Sequence, residues 1–261
     1  MKADFEMPTG SFKDRGASAM IGAAVAGGAR VVVADSSGNA GRSVAAHASA
    51  AGLGCRVYVP SGTAQEKMSA IAGHGAEVVE VPGDRAAAAE AAQREASAGA
   101  WYASHVHQPS FHHGVKTLAF ELAAQLPDPR RTAVVVPAGN GTLVLGLWLG
   151  FSELAAAGRL LGVPPLVAVQ AEACAPLAGR PPAGKTAASG IAVAHPPRAP
   201  QVRAAVAASG GRVLTVGEEA ISRACRELGG LGFEVEPTGA VAWAALGGVT
   251  SPAVAVLTGR R

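Results

Sequence analysis

The residue in this sequence that is best suited to a chemical reaction is a lysine near its start, Lys13. Pro8 and Gly10 predict a turn ahead of it, because proline fixes φ and glycine tolerates positive φ. The apolar stretch 17–25 is typical of a helix, so Lys13 is predicted just before that helix or in its first turn. A cation there opposes the helix dipole. Lys13 is therefore either solvated, beside Asp14, or held for chemistry as an amine that attacks an aldehyde carbonyl.

A second stretch whose residues could bind a ligand is 35–43, which follows a valine-rich run and precedes a predicted helix. Backbone N–H groups and small hydroxyls converge at such a helix start, where they suit a carboxylate or phosphate. An ordinary strand-to-helix turn with a serine cap would have the same composition. The candidate ligand-binding residues are Ser36, Ser37, Gly38, Asn39, Ala40 and Gly41.

A third stretch, 136–143, again runs from a β-branched strand through glycines into a helix. Glycine allows the backbone to approach a ligand closely, and a helix start favours phosphate. A dinucleotide site is an alternative, but the third fingerprint glycine is missing and no acidic residue stands about 20 positions further on. The candidate phosphate-binding residues are Gly139, Asn140, Gly141 and Thr142.

Together these three stretches resemble the fold-type II pyridoxal-phosphate (PLP) enzymes, and the threonine synthase branch especially. The resemblance implies that Lys13 holds PLP as a Schiff base and that Asn39 contacts its phenolic oxygen. It also implies that the loop around Asn39 binds the substrate carboxylate and that 139–142 binds the phosphate. Near the end, Thr258 matches the hydroxyl residue that faces the pyridine nitrogen in the family, although alone it is an ordinary β-former at a strand end.

Alternating strands and helices must position these residues. Valine-rich runs are predicted as strands at 30–34, 55–59, 77–81, 132–136, 166–170, 212–216 and 253–257. Helices are predicted at 42–51, 64–74, 85–98, 114–126, 143–157, 218–228 and 240–246, with a long loop at 177–200. Strands separated by helices of this length predict βαβ crossovers and mostly parallel sheet.

The predicted fold class is therefore α/β. The resemblance refines it to two open, mostly parallel twisted sheets flanked by helices, in a chain that is short at its amino end for this family. We expect a large PLP-binding domain from 1–40 and 115–261, with a small inserted α/β domain at 41–114. From the short amino end we also expect a homodimer.

Composition excludes several other classes of protein. The 261 residues are 49% hydrophobic and 16% charged, which suits a compact enzyme rather than a disordered chain. The net charge of +3 comes without a basic run, so no nucleic-acid partner is expected, and no apolar run is long enough to span a membrane. Three separated cysteines without CxxC spacing favour a reducing cytoplasm.

A dense group of histidines could suggest a metal site. Zinc sites of this kind use a helical i, i+4 pair or a cysteine–histidine set, whereas here Pro109 interrupts and no cysteine is near. We therefore expect no metal. The histidines concerned are His105, His107, His112 and His113.

The resemblance implies a threonine synthase-like lyase that acts on a small amino acid with a β- or γ-leaving group. Lys13 would hold the cofactor and, once displaced, act as general base at Cα. A serine/threonine dehydratase or a β-replacement synthase is the alternative within this class. From another class, the chain could be a catalytically silent, PLP-binding or partner-dependent subunit.

Overall fold

The computed structural model describes residues 1–250 and 252–260, which form an α/β arrangement. The strands are β1 Lys2–Ala3, β2 Val31–Ala34, β3 Gly54–Pro60, β4 Glu77–Val81, β5 Trp101–Tyr102, β6 Ala133–Pro137, β7 Leu166–Ala171, β8 Arg212–Val216 and β9 Ala253–Leu257. The helices are α1 Lys13–Ala26, α2 Asn39–Ala50, α3 Gln65–Ala72, α4 Arg85–Ser97, α5 Pro109–Val115, α6 Thr117–Gln125, α7 Thr142–Ala156, α8 Ala199–Ala208, α9 Glu218–Gly230 and α10 Pro237–Ala244. No helix within the described ranges is both long and apolar enough to cross a membrane.

The chain forms two compact units, and the first contains residues 1–6 and the part from Val115 onward. Its sheet has the strand order β1-β9-β6-β7-β8, and each neighbouring pair is parallel. Every residue of β6 and β7 is buried, which explains why these strands are almost uninterrupted apolar runs. Val135 and Val169 pack with Val241 of α10 in the core of this unit.

The second unit contains Met7–Gly114 and carries a four-stranded sheet in the order β4-β3-β2-β5, again with parallel pairs. Val32 and Val33 of β2 are fully buried, as are Val57 and Val59 of β3. The remaining residues of β3 alternate with its buried ones and are partly or fully exposed. Helices α2 and α4 supply alanines to this core, so close packing is reached with small side chains.

The predicted α/β class with parallel sheets is confirmed, and the seven predicted strands are present with their ends shifted by at most about one residue. The two-residue strands β1 and β5 were not predicted, because two residues carry no readable periodicity. The single helix predicted at 114–126 is wrong: α5 ends at Val115 and α6 begins at Thr117.

The loop predicted at 177–200 is largely irregular, with short 3₁₀ turns at Pro176–Ala178 and Ser189–Ile191. Helix α8 begins at Ala199, within the last two residues of the predicted loop, and was not predicted. Pro200 was interpreted as part of the loop, but proline is compatible with the first turn of a helix, where its missing N–H has no intrahelical partner.

The two compact units place residues 7–40 with 41–114. The domains predicted from the sequence differ from these units in that segment, because they were defined by the family's cofactor-binding function. That functional division stays a prediction.

Candidate active site

Lys13 is the first residue of α1, as predicted, and its side chain is half-buried. Its Nζ lies 4.6 Å from the ring centroid of Phe12 and 5.6 Å from that of Phe111. An ammonium over aromatic faces gains cation–π attraction while it gives up part of its hydration. Lys13 is therefore held against an aromatic wall rather than extended into solvent.

The turn ahead of Lys13 has the predicted geometry. Gly10 adopts a φ of 82°, and its N–H donates to Met7 O at 2.8 Å. Ser11, which follows it, is fully buried, and its Oγ has no hydrogen-bond partner among the described residues. A buried hydroxyl without a partner is costly in a folded protein. Its position two residues from Lys13 is consistent with a bound group that would satisfy it.

The loop around Asn39 ends at the start of α2, where Gly38 is the N-cap with an extended backbone and no side chain caps the helix. The serine cap considered as an alternative is therefore wrong. Ser36 Oγ instead accepts from Gly38 N at 3.4 Å. The N–H groups at the start of a helix are the backbone donors that commonly bind anions.

Gly41 shows how closely this loop folds back on its own helix. A Cβ at Gly41 would lie 1.9 Å from Ser36 O and 3.2 Å from Val57 Cγ1. Only glycine fits there, so the loop conformation depends on the absence of a side chain. The same helix is attached to the lysine segment, because the Arg42 guanidinium donates to Thr9 O.

The glycine loop 139–142 lies in the other unit, between β6 and α7. Gly141 is the N-cap of α7 and has a φ of 78°, which glycine tolerates and other residues rarely adopt. The fifteen-residue helix α7 directs its dipole and its first N–H groups toward this loop. These features fit a phosphate group.

Close packing is a second reason for glycine at 139 and 141, and it was not predicted from the sequence. A Cβ at Gly139 would lie 2.9 Å from Ile191 Cα, and one at Gly141 would lie 2.2 Å from Val202 Cγ2. The segment from the 3₁₀ turn at Ser189–Ile191 to α8 therefore packs directly against the loop. Glycine is required at both positions whether or not a phosphate is bound.

Gln170 of β7 supports the same loop and was not identified from the sequence. It is fully buried; its Nε2 donates to Ala138 O at 3.0 Å, and its Oε1 accepts from Leu177 N at 2.8 Å. One amide thus joins the glycine loop to the start of the 177–200 segment. A polar residue inside a buried apolar strand was the available signal, because such residues are retained when they are hydrogen-bonded.

Thr258 follows β9 and is 3% exposed. Strands β9 and β6 are neighbours in register, with Val135 opposite Ala255. Thr258 and the glycine loop therefore lie at the carboxyl ends of adjacent parallel strands, the edge at which open α/β sheets bind ligands.

His105 is a buried histidine of the lysine unit, 7% exposed, with its ring edge-on to Phe111 at a centroid distance of 5.8 Å. Desolvation first, and then the positive charge of Lys13, hold the pKa of His105 well below its usual range. The unfolded chain thus binds a proton more readily than the folded one. Stability linked to His105 is fully present above the unfolded pKa of about 6.5 and is lost as the pH falls below it.

We therefore expect the melting temperature to fall between pH 7 and pH 5, and the fall to be smaller in a His105→Gln variant. His195→Gln, which replaces an exposed histidine, should keep the wild-type dependence. Thermal melts at each pH measure the slope, so a constant loss of stability from the substitution does not affect the comparison. Parallel slopes for His105→Gln and wild type would contradict the expectation.

Among residues 1–250 and 252–260, no group of three or more histidine, cysteine or acidic side chains could hold a metal ion. Lys13 and the Asn39 loop lie in one unit, whereas 139–142 and Thr258 lie in the other. Each unit thus holds one part of the predicted site.

These features define a class of protein: an α/β protein with parallel sheets, a glycine loop at a helix start, and a half-buried lysine amine. The chain matches the family described as pyridoxal-phosphate dependent enzyme over residues 1–259. It is 33% identical over 251 residues to a threonine synthase of Methanocaldococcus jannaschii, an alignment that covers 92% of this chain and 62% of the relative. It is 32% identical over 255 residues to a threonine synthase of Mycobacterium bovis, covering 94% of this chain and 69% of that one.

Among solved structures, a threonine deaminase of T.th. superposes with a TM-score of 0.82 at 28% identity, and the match covers 99% of this chain and 85% of that one. The chain belongs to the pyridoxal-phosphate-dependent enzyme family. It spans about 62% of the length of the Methanocaldococcus threonine synthase. The predicted family and cofactor are thereby confirmed.

Proposed function

We propose that this chain is a PLP-dependent lyase of the threonine synthase type, acting on a small amino acid with a leaving group at Cβ or Cγ. The observation that carries the proposal is Lys13 itself: a half-buried amine at a helix start, two residues from a buried hydroxyl that has no partner among the described residues. Similarity to threonine synthases over more than nine-tenths of the chain supports the reaction type.

The residues of both units fit the cofactor. The N–H groups at the start of α7, with Gly139, Asn140, Gly141 and Thr142, would hold the phosphate. Asn39 would donate to the phenolic oxygen, and the uncapped start of α2 would bind the substrate carboxylate. The substrate-binding residues proposed there are Ser36, Ser37, Gly38, Ala40 and Gly41.

PLP, when bound, supplies an aldehyde and an electron sink for negative charge at Cα. Lys13 provides the primary amine for covalent attachment and, once released, removes the Cα proton. Phe12 and Phe111 shield that amine from water on the sides they cover. These roles place both covalent attachment and proton transfer on one nitrogen.

Thr258 limits the reactions that fit this site. Its hydroxyl can donate to a neutral pyridine nitrogen but cannot supply a negative counter-charge. PLP with a neutral pyridine nitrogen is a weaker electron sink. Substrates are then favoured if their leaving group departs promptly and removes the negative charge from Cα. Elimination and replacement meet this condition, whereas transamination does not.

A serine/threonine dehydratase is the second candidate, because a threonine deaminase structure superposes on this chain with a TM-score of 0.82 at 28% identity. A β-replacement synthase would use the same residues. The two reaction types differ in the product, since a dehydratase releases ammonia and a keto acid, whereas a synthase retains the amino group.

The deciding experiment uses purified protein loaded with PLP and a panel of amino acids that carry hydroxyl, phosphate, acetyl or succinyl groups. Mass spectrometry of the products, with assays for phosphate and ammonia, identifies the reaction. Release of phosphate with an amino-acid product supports the synthase, and ammonia with a keto acid supports the dehydratase. Lysine-bound cofactor without turnover would identify a silent PLP-binding subunit. Amino transfer to the cofactor without loss of a side-chain group would contradict the role of Thr258.

We further propose a cytoplasmic location, supported by cysteines that are all free in the described residues, and a functional large domain formed by 1–40 and 115–261 around the small domain 41–114. The expected homodimer is part of the same proposal. Sedimentation across micromolar concentrations tests it, and a monomer at all of them would contradict it.

A further inference from the structure

We propose that Asp14 is a positioning residue, one that fixes the segment carrying Lys13 against the helix that begins at Asn39. The inference rests on the proposed function in one respect, that Lys13 is the cofactor-binding amine. It assigns to Asp14, Thr9 and Ser43 a task that is separate from contact with cofactor or substrate.

The carboxylate of Asp14 is almost completely buried, at 1% exposure, yet it is fully hydrogen-bonded. Oδ2 accepts from Thr9 N at 2.7 Å, and Oδ1 accepts from Thr9 Oγ1 at 2.8 Å and from Ser43 Oγ at 2.6 Å. Thr9 and Ser43 are themselves buried. Hydrogen bonds to a buried carboxylate are among the stronger ones in proteins, so this cluster is a rigid junction.

The hydrogen bonds of the junction require a side chain with two acceptor oxygens. Thr9 Oγ1 and Ser43 Oγ lie 3.0 Å apart, and each hydroxyl has a single hydrogen. If one hydroxyl donates to the other, the remaining hydrogen still needs a third group, and Asp14 Oδ1 lies within hydrogen-bond distance of both hydroxyls. An asparagine at this position would offer one acceptor oxygen and an NH₂ group. At least one of the three donors would then lose its acceptor in this cluster.

The junction encloses Lys13 along the chain. Thr9 lies four residues before Lys13, and Asp14 follows Lys13 directly. The segment 9–14 is therefore held on both sides of the lysine. Ser43 lies one helical turn beyond Asn39 in α2. A single carboxylate thus connects the lysine segment to the helix that presents the Asn39 loop.

Two further residues strengthen the same connection. Arg42 donates to Thr9 O. His47 Nδ1 lies 2.8 Å from Ser43 O and 3.7 Å from Asp14 Oδ1. Positions that act together in catalysis tolerate only small displacements, because rate depends steeply on the alignment of the reacting groups. Loosening this junction should therefore affect covalent attachment at Lys13 before it affects the fold.

The test uses a matched pair at Thr9. Thr9→Val keeps the shape of the side chain and removes the hydroxyl, whereas Thr9→Ser keeps the hydroxyl. Asp14→Asn adds the loss of the negative charge. The control is Asp84→Ala, which removes the N-cap of α4 in the same unit, where Asp84 Oδ1 accepts from Ala86 N and Ala87 N. That variant loses stability without touching the lysine segment.

Three quantities are measured for each protein: the apo melting temperature, the rate of covalent attachment of PLP at Lys13, and amide hydrogen exchange in residues 9–14 of the apo protein. Attachment is followed by absorbance, and its site is identified by borohydride reduction and peptide mapping. We expect Thr9→Val to attach PLP about tenfold more slowly and Asp14→Asn more slowly still, since each leaves a buried polar group unpaired. Thr9→Ser should stay within about threefold of wild type, and exchange in 9–14 should rise only in the two slow variants.

The proposal is overturned if Thr9→Val and Asp14→Asn attach PLP at the wild-type rate with unchanged exchange in 9–14. It is also overturned if Asp84→Ala slows attachment as much at an equal loss of melting temperature, because the effect would then be general destabilisation. Failure of the proposed function gives a different result: wild type itself would form no covalent linkage at Lys13. Hydrogen exchange in the apo variants would then still report whether Asp14 holds the segment.

Discussion

Replacing Lys13 with alanine is expected to abolish covalent cofactor binding and all turnover while leaving the protein folded. Only a primary amine can form the covalent linkage with an aldehyde, and water cannot replace the amine of Lys13 in this role. Loss of proton transfer alone lowers rates by about 10²–10⁴-fold, so loss of both roles should leave no measurable activity. Because Lys13 is at a helix start, where its charge opposes the dipole, its removal should cost little stability.

The measurement is the absorbance of lysine-bound PLP, its sensitivity to borohydride, and product formation with the best substrate of the panel. Lys13→Arg is an informative second variant, because it keeps the positive charge over Phe12 and Phe111 but remains protonated and cannot form the linkage. Lys67→Ala, which removes an exposed lysine of α3, is the control and should behave as wild type. Covalent PLP retained at another lysine in Lys13→Ala would contradict the assignment.

The second large effect is expected for Gly41→Ala. The new Cβ would lie 1.9 Å from Ser36 O, a backbone atom, so the loop 36–41 cannot keep its conformation. Forcing atoms into a packed site costs about 1–3 kcal/mol, which corresponds to a melting-temperature loss of about 2–12 °C for a chain of this size. Because Asn39 belongs to the displaced loop, affinity for PLP and for the substrate carboxylate should fall as well.

Gly22→Ala is the matched control for this prediction. Gly22 lies inside α1, and a Cβ there would meet nothing within 4 Å. Alanine is a better helix former than glycine, so this variant should gain about 0.5–1 kcal/mol of stability. Thermal melts of the apo proteins and cofactor titrations compare the two. An unchanged melting temperature and unchanged PLP affinity in Gly41→Ala would show that the contact with Ser36 O is easily relieved.

Local patterns in the sequence were sufficient for the seven longer strands and for most of the helices. Strands such as β6 and β7 are readable because both faces are buried, which leaves a continuous apolar run. Lys13 was predicted just before α1 or in its first turn, because a turn signal and a helix pattern meet at that residue, and it is the first residue of α1. The family and its cofactor followed from the order of the three motifs along the chain.

Contacts between residues distant in the sequence were decided by tertiary packing alone. The pairing of Asp14 with Ser43, and of Gln170 with Ala138, depends on which buried donors and acceptors meet, and no local pattern encodes that choice. A Cβ at Gly114 would lie 2.0 Å from Arg15 O, so the close packing of α5 against α1 requires glycine at that position.

The glycine loop 139–142 depends both on local backbone conformation and on packing against distant residues. Its glycines mark a turn into a helix, and this was readable because positive φ at Gly141 is a local backbone property. That Gly139 must also leave room for Ile191 was not readable, because the partner comes from a distant loop whose path depends on the packing of the whole unit. Residue types and local conformation thus follow from short-range preferences, whereas the partners that hold Lys13 and the glycine loop in place follow only from the folded chain.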